Sequence, residues 1–110
     1  MRRGEVWWAE LPEPVGRRPV VLLTRDGAYD YRTMATVAPV TTTVRGIPAE
    51  VELSPADGLP RRCVVNVDNL QTIDQRRLRG RISVLTSKRL QEIDDAIHFA
   101  LGLRDRSGRR

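Results

Sequence analysis

The sequence predicts a mainly β domain, an SH3-like, partly closed barrel that carries one C-terminal helix. Two patterns lead there. Short apolar or β-branched runs recur between Val6 and Leu85, separated by clusters of proline, glycine and aspartate, and they never alternate with helical segments as a βαβ chain would. After the last of these runs, Leu90, Ile93, Ile97 and Leu101 return at helical spacing, with Ala96 and Ala100 beside them. A chain of 110 residues fits one domain with a modest core.

In chain order, Arg3 to Glu10 has the composition of a strand, and its adjacent Trp7 and Trp8 must face opposite sides. One of them is expected in the core, the other at an interface or a stacking surface. Pro12, Pro14 and Gly16 mark a connection from Leu11 to Arg17. Val20 to Leu23 then reads as a buried strand. Pro19 pushes the residue before it toward extended geometry, which holds Arg18 at the mouth of that strand. A guanidinium there offers a planar set of donors matched to phosphate oxygens, although a solvated arginine at a loop edge fits the same residues. Arg25 to Thr33 is a polar loop that either presents Tyr29 or Tyr31 for stacking or packs one of the rings.

The stretch Thr36 to Val40 reads as a strand with at least one covered face. Pro39 brings no N–H to a ladder, so a bulge, a sheet edge or the end of the strand is expected there. Thr41, Thr42 and Thr43 follow where the apolar pattern stops. In extended chain Thr41 and Thr43 share a face, so the run suits a strand delivering hydroxyls to a working surface, as well as plain packing. Val44 to Pro48 is a loop, Ala49 to Leu53 alternates as a half-buried strand, and Ser54 to Pro60 is a turn. From Arg62 to Asp74 an apolar run gives way to Asn66, Asp68 and Leu70, which would project polar groups of one parity from a strand end. Gln75 to Leu78 and the nearby Arg76, Arg77, Arg79 and Arg81 read as a solvated face or a track for an anionic backbone. Ile82 to Leu85 is a short last strand, Thr86 or Ser87 caps the helix, and Gly102 stops it. His98 is read as a surface residue, and Arg104 to Arg110 as a basic, mobile tail.

Composition narrows the chemistry. Lysine and arginine number 19 against 14 acidic residues, a net charge of +5, which favours an anionic partner. Cys63 is the only cysteine and His98 the only histidine, so neither an intrachain disulfide nor a His/Cys metal cluster is expected, and no cofactor. Any chemistry must be built from Arg, Thr, Asp and Asn. No apolar stretch approaches membrane-spanning length and the first residues lack a secretory leader's apolar segment, so a cytoplasmic protein with no membrane partner is expected.

The ordered set RRGEVWWAEL, GRRPVVLLT, VAPVTTTV, PAEVELSPADGL and VVNVDNLQTID, followed by an amphipathic helix, resembles the MazF/PemK-type toxins across residues 2 to 101. The resemblance implies one toxin domain over residues 1–103, the fold shared by MazF, PemK and CcdB, and a homodimer. It implies an mRNA interferase that cuts single-stranded RNA without metal, through 2′-OH attack, leaving a 2′,3′-cyclic phosphate and a 5′-OH. It also implies an acidic, MazE-like antitoxin. By the same resemblance the arginine before the proline and the threonine ending the next strand, here Arg18 and Thr41, form the cleavage pair. Arg17, Thr42, Thr43, Asn66, Asp68 and Asn69 are accessory or RNA-binding candidates. In one branch of the family the aspartate at the position of Asp68 is a base, with an arginine two residues earlier and a histidine in the first loop. This chain has Asn66 at the former position and only Glu10 and Glu13 around a short loop, so Asp68 is left between touching a base edge, orienting Arg18 and accepting a turn hydrogen bond. An altered cleavage sequence or a simplified catalytic set is therefore expected. Two other functions fit the same fold: a CcdB-like toxin that binds gyrase and cuts nothing, and a non-catalytic single-stranded RNA-binding module.

Overall fold

The computed structural model describes residues 1–103, and the basic tail expected beyond them lies outside the described residues. Seven strands precede one helix: β1 Glu5–Glu10, β2 Arg17–Leu22, β3 Met34–Thr41, β4 Glu50–Leu53, β5 Cys63–Asn66, β6 Gln71–Asp74, β7 Leu78–Val84 and α1 Ser87–Ala100. All pairings are antiparallel. The strand order is β4-β5-β3-β2-β1-β7, with β6 added on β3. The expected mainly β fold with a C-terminal helix is borne out, and the sheet stays open, with β4 and β7 as its ends.

The hub is β3. One side of it pairs with β2, while the other is shared: β6 takes Met34 to Val37 and β5 takes Val40 and Thr41. This corrects the expectation for Pro39, because the strand neither ends nor lies at an edge there. Pro39 stands opposite Val20 of β2. The backbone N–H of Leu23 donates to the carbonyl of Thr36 (2.9 Å), so even-numbered residues of β3 direct their backbone groups at β2 and odd-numbered ones away from it. The missing N–H of Pro39 therefore points to the other side, into the gap between the last pair with β6, at Val37, and the first with β5, at Val40. A proline is tolerated in mid-strand because no ladder bond is due at that point.

Both faces of this sheet are covered. Val21, Leu23, Ala38 and Val40 join the larger core with Leu53, Val65 and Ile93, while Val20, Leu22, Ala35 and Val37 join a second core with Tyr29, Ile73 and Leu78. That double burial explains why Val20 to Leu23 is apolar without alternation. Leu22 is fully buried in the second core. Leu22→Ala is expected to destabilise the fold by about 2–5 kcal/mol, which a urea titration followed by tryptophan fluorescence would read.

Three elements differ from the sequence expectation. The last strand begins at Leu78 and not at Ile82, because Leu78 is buried beside Ala9 while Arg79 and Arg81 alternate with it on the solvent side. Two register shifts let this strand follow β1. Between Cys63 and Asp74 the chain is not one strand but β5, a 3₁₀ turn at Val67–Asn69 and β6, so Asn66, Asp68 and Leu70 do not project from a common strand. On α1, Ile93 and Ala96 are buried and Leu90, Ile97 and Ala100 pack on the core, but Leu101 is the C-cap and 56% exposed. Thr86 provides the N-cap, accepting the Arg89 N–H at 3.2 Å, and Gly102 takes the left-handed φ of 65° that ends the helix.

Candidate active site

The ends of β2, β3 and β5 come together because the register sets Pro19 beside Trp8, Val20 beside Pro39, and Val40 beside Val65. The strands run out at Arg17–Arg18, Thr41 and Asn66, and between those ends lies an open cleft of about 230 Å³. Its lining includes Arg18, Pro39, Thr41, Thr43, Asn66 and Asn69, and it also takes in Arg45.

The local bonds leave mainly donors facing this cleft. The Thr43 N–H donates to Thr41 Oγ1 (3.1 Å), occupying a lone pair of that hydroxyl and leaving its hydrogen to donate elsewhere. Asn66 is buried, and its Oδ1 accepts the Asp68 N–H at 2.9 Å, which fixes the amide so that Nδ2 is turned away from the turn. Glu50 takes the Arg45 N–H (3.0 Å) and the Gly46 N–H (2.9 Å) on its Oε1, pinning the backbone of the loop that carries the Arg45 side chain. Among the described residues neither the Arg18 nor the Arg45 guanidinium has a carboxylate within salt-bridge distance. Among the described residues no carboxylate or imidazole lines the cleft. Two guanidiniums, hydroxyls and amides of this kind suit a phosphodiester.

The predicted candidates divide on this geometry. Arg18, Thr41, Thr43, Asn66 and Asn69 share the cleft. Thr42, of the opposite parity, lines a neighbouring cavity instead. Arg17 lies over the Trp8 ring, its Cζ 4.7 Å from the ring centroid. Asp68 is exposed in the 3₁₀ turn and does not line the cleft. The turn acceptor is Asn66 and not Asp68, since it is the Asp68 backbone that donates. Arg45 is not singled out by the sequence reading; the available signal is a cation two residues after the threonine run and directly before Gly46.

Residues 2–101 match the sequence model of the family described as PemK-like, MazF-like toxin of type II toxin-antitoxin system. The chain belongs to that family. Among relatives of this MazF-like toxin, a probable endoribonuclease MazF5 of Mycobacterium tuberculosis is 45% identical over 100 residues, covering 90% of this chain and 91% of the relative. The solved Mycobacterium tuberculosis toxin MazF-mt6 superposes with a TM-score of 0.86 at 37% identity, covering 92% of this chain and 99% of the other. A mycobacterial endoribonuclease solved in complex with its cognate antitoxin gives a TM-score of 0.86 at 28% identity, covering 96% and 98% of the two chains.

Elsewhere on this MazF-like chain several polar groups have structural partners. Tyr29 is buried and its hydroxyl donates to the Thr24 carbonyl at 3.0 Å; burial is the main cause that pushes its phenol above the usual range. Tyr31 is 70% exposed and held by Arg25, so the loop packs one ring and presents the other. Trp7 packs on the second core and its Nε1 donates to Glu5 Oε1 at 2.9 Å, while Trp8 faces the cavity beside the cleft. Burial alone would raise the Glu5 carboxyl, but the Trp7 and Arg2 N–H groups, the N-terminal charge and Arg81 outweigh it and hold Glu5 below the usual carboxylate range. Cys63 is buried, and that burial raises its thiol. His98 is exposed on α1. No helix among the described residues is long and apolar enough to cross a membrane.

Proposed function

We propose that this chain is the toxin of a type II toxin-antitoxin system and acts as an endoribonuclease, cutting single-stranded RNA at specific sequences. One observation carries the reading: Arg18 and Thr41, on separate strands, open into a single cleft walled by donors and free of lining carboxylates. The family and the relatives named as endoribonucleases point the same way.

In the proposed reaction the RNA's own 2′-oxygen attacks the adjacent phosphorus, the bond from phosphorus to O5′ breaks, and a 2′,3′-cyclic phosphate and a 5′-OH result. The 2′-OH proton leaves to solvent and O5′ takes one from solvent, so no water is consumed. Negative charge grows on the non-bridging oxygens, where the Arg18 guanidinium stabilises it. Arginine holds its protons too tightly to serve as the acid, so its role is electrostatic. Thr41, its acceptor side already occupied by Thr43, donates its hydroxyl hydrogen to the phosphate. Arg45, Asn66 and Asn69 position the strand through phosphate and base contacts. Such a donor set draws phosphate oxygens rather than a divalent cation, so the chemistry is proposed to run without metal. The accompanying picture is one toxin domain over residues 1–103, a cytoplasmic homodimer, and an acidic MazE-like antitoxin that competes with RNA for the cationic cleft.

The direct test incubates purified protein with mixed-sequence RNA in excess chelator and maps the ends. Discrete cuts with cyclic phosphate termini are expected; intact RNA across varied sequences would reject the reading. Thr41→Val should lower the rate by about 10- to 100-fold, the worth of one hydrogen bond to a charged group, whereas Thr41→Ser should restore most of it in single-turnover assays.

A further inference from the structure

Next to the cleft, and sharing Thr41 with it, a second cavity of about 240 Å³ has a different character. Its walls are the Trp8 indole, Pro19, Leu59 and Pro60, with Cys63 buried among them. Thr42 and Arg61, both exposed, bring the polar groups to its lining. Two features preform it. Arg17 stacks on the Trp8 ring without lining the cavity, so it steadies the indole while leaving other ring surface free. Gly58, at φ 90°, turns the chain toward Leu59 and Pro60 at a point where a Cβ would lie 2.5 Å from Ser83 Cβ, so only glycine fits.

We propose that this cavity holds an unstacked base of the RNA beside the scissile phosphate and sets the base preference there. The proposal rests on the nuclease reading above. Flat apolar walls with an indole suit a base face and not a sugar or phosphate, and a hydroxyl and a guanidinium at the lining can read a base edge. Thr41 is a shared wall, so a phosphate in the cleft places its own nucleotide within reach of the cavity. Arg17 and Arg61 make the surroundings cationic, which favours an occupant attached to an anionic strand over an apolar side chain of a neutral protein segment.

The test uses Trp7→Phe, which leaves Trp8 as the only tryptophan. Short RNAs that carry 2′-deoxyribose at each candidate cut position, and differ in one flanking base, are titrated while Trp8 emission is followed. In parallel, Trp8→Leu and Arg61→Ala are mapped for cut-site preference on mixed-sequence RNA; Arg61 is exposed, so its variant keeps the test open should Trp8→Leu fail to fold. Emission should respond to binding, with one base favoured by at least about tenfold, and the variants should lose preference at that one position while still cutting at relaxed sites. An unchanged cut-site profile with Trp8 emission indifferent to RNA would overturn the cavity's role and leave the nuclease standing. Base-selective quenching from a protein that cuts nothing would support the cavity and sink the nuclease. Emission that follows protein dilution and not RNA would assign the cavity to a second copy of the chain, which also overturns the proposal.

Discussion

Replacing Arg18 by alanine is expected to lower RNA cleavage by about 10²- to 10³-fold, the usual effect of removing one preorganised donor from a developing oxyanion. The placement explains why so much rests on one side chain. Pro19 fixes the backbone just after Arg18, and the pairing of Arg18 with Ala9 ties it to β1, so the guanidinium leaves a rigid strand end and not a loop. It is partly buried, where charge is screened less than at an open surface, and it has no salt-bridge partner among the described residues to neutralise it. The loss should fall on the single-turnover rate more than on RNA affinity, because the interaction strengthens as charge develops. Arg18→Lys should recover part of it, supplying the charge without the planar fork. Since the side chain makes no ion pair among the described residues, the urea midpoint of the alanine variant should stay close to that of the parent. A variant that cuts at the parental rate would remove Arg18 from the mechanism and shift attention to Arg45 across the same cleft.

The second large effect is on the substrate side. A single 2′-deoxyribose on the 5′ side of the scissile phosphate is expected to abolish the cut at that site while leaving binding within a few-fold, since the nucleophile is removed and the contacts proposed for Arg18, Thr41 and Arg45 are with phosphate. Placing the deoxyribose one nucleotide further away should spare the reaction. These outcomes separate internal attack from hydrolysis by water, which would still cut the modified strand and would leave no cyclic phosphate. The same modified RNA is the natural probe for competition by an acidic antitoxin, because it occupies the cleft without turning over.

Much of the fold follows from local patterns. The β-branched runs, the alternation at Val51 and Leu53, the Thr86 cap and the Ile93–Ile97 stripe each encode which face of an element is buried, and each appears where the pattern places it. Failures occurred where the outcome depends on a distant strand. Pro39 argues locally for a bulge, an edge or a strand end; only the division of one side of β3 between β6 and β5 leaves a gap for its missing donor. The arginine-rich stretch after Gln75 reads as solvated, yet Leu78 starts a strand because β1 offers Ala9 as a partner.

The site divides in the same way. By itself the sequence determined the composition of the chemistry, a cationic chain with Arg18 fixed before Pro19 and threonines at the end of a strand, because these rest on charge, proline geometry and strand parity. Parity even separates Thr43, in the cleft, from Thr42, in the cavity beside it, with Thr41 lining both. Only the tertiary structure decided that Asn66, Asn69 and Arg45 meet Arg18, that Asp68 stands outside, and that Trp7 packs inward while Trp8 borders the site. The physical reason is register. Side-chain periodicity says which face a residue occupies, but which strand ends lie side by side is set by long-range pairing and by turns such as the one Asn66 caps, and those have no local signature.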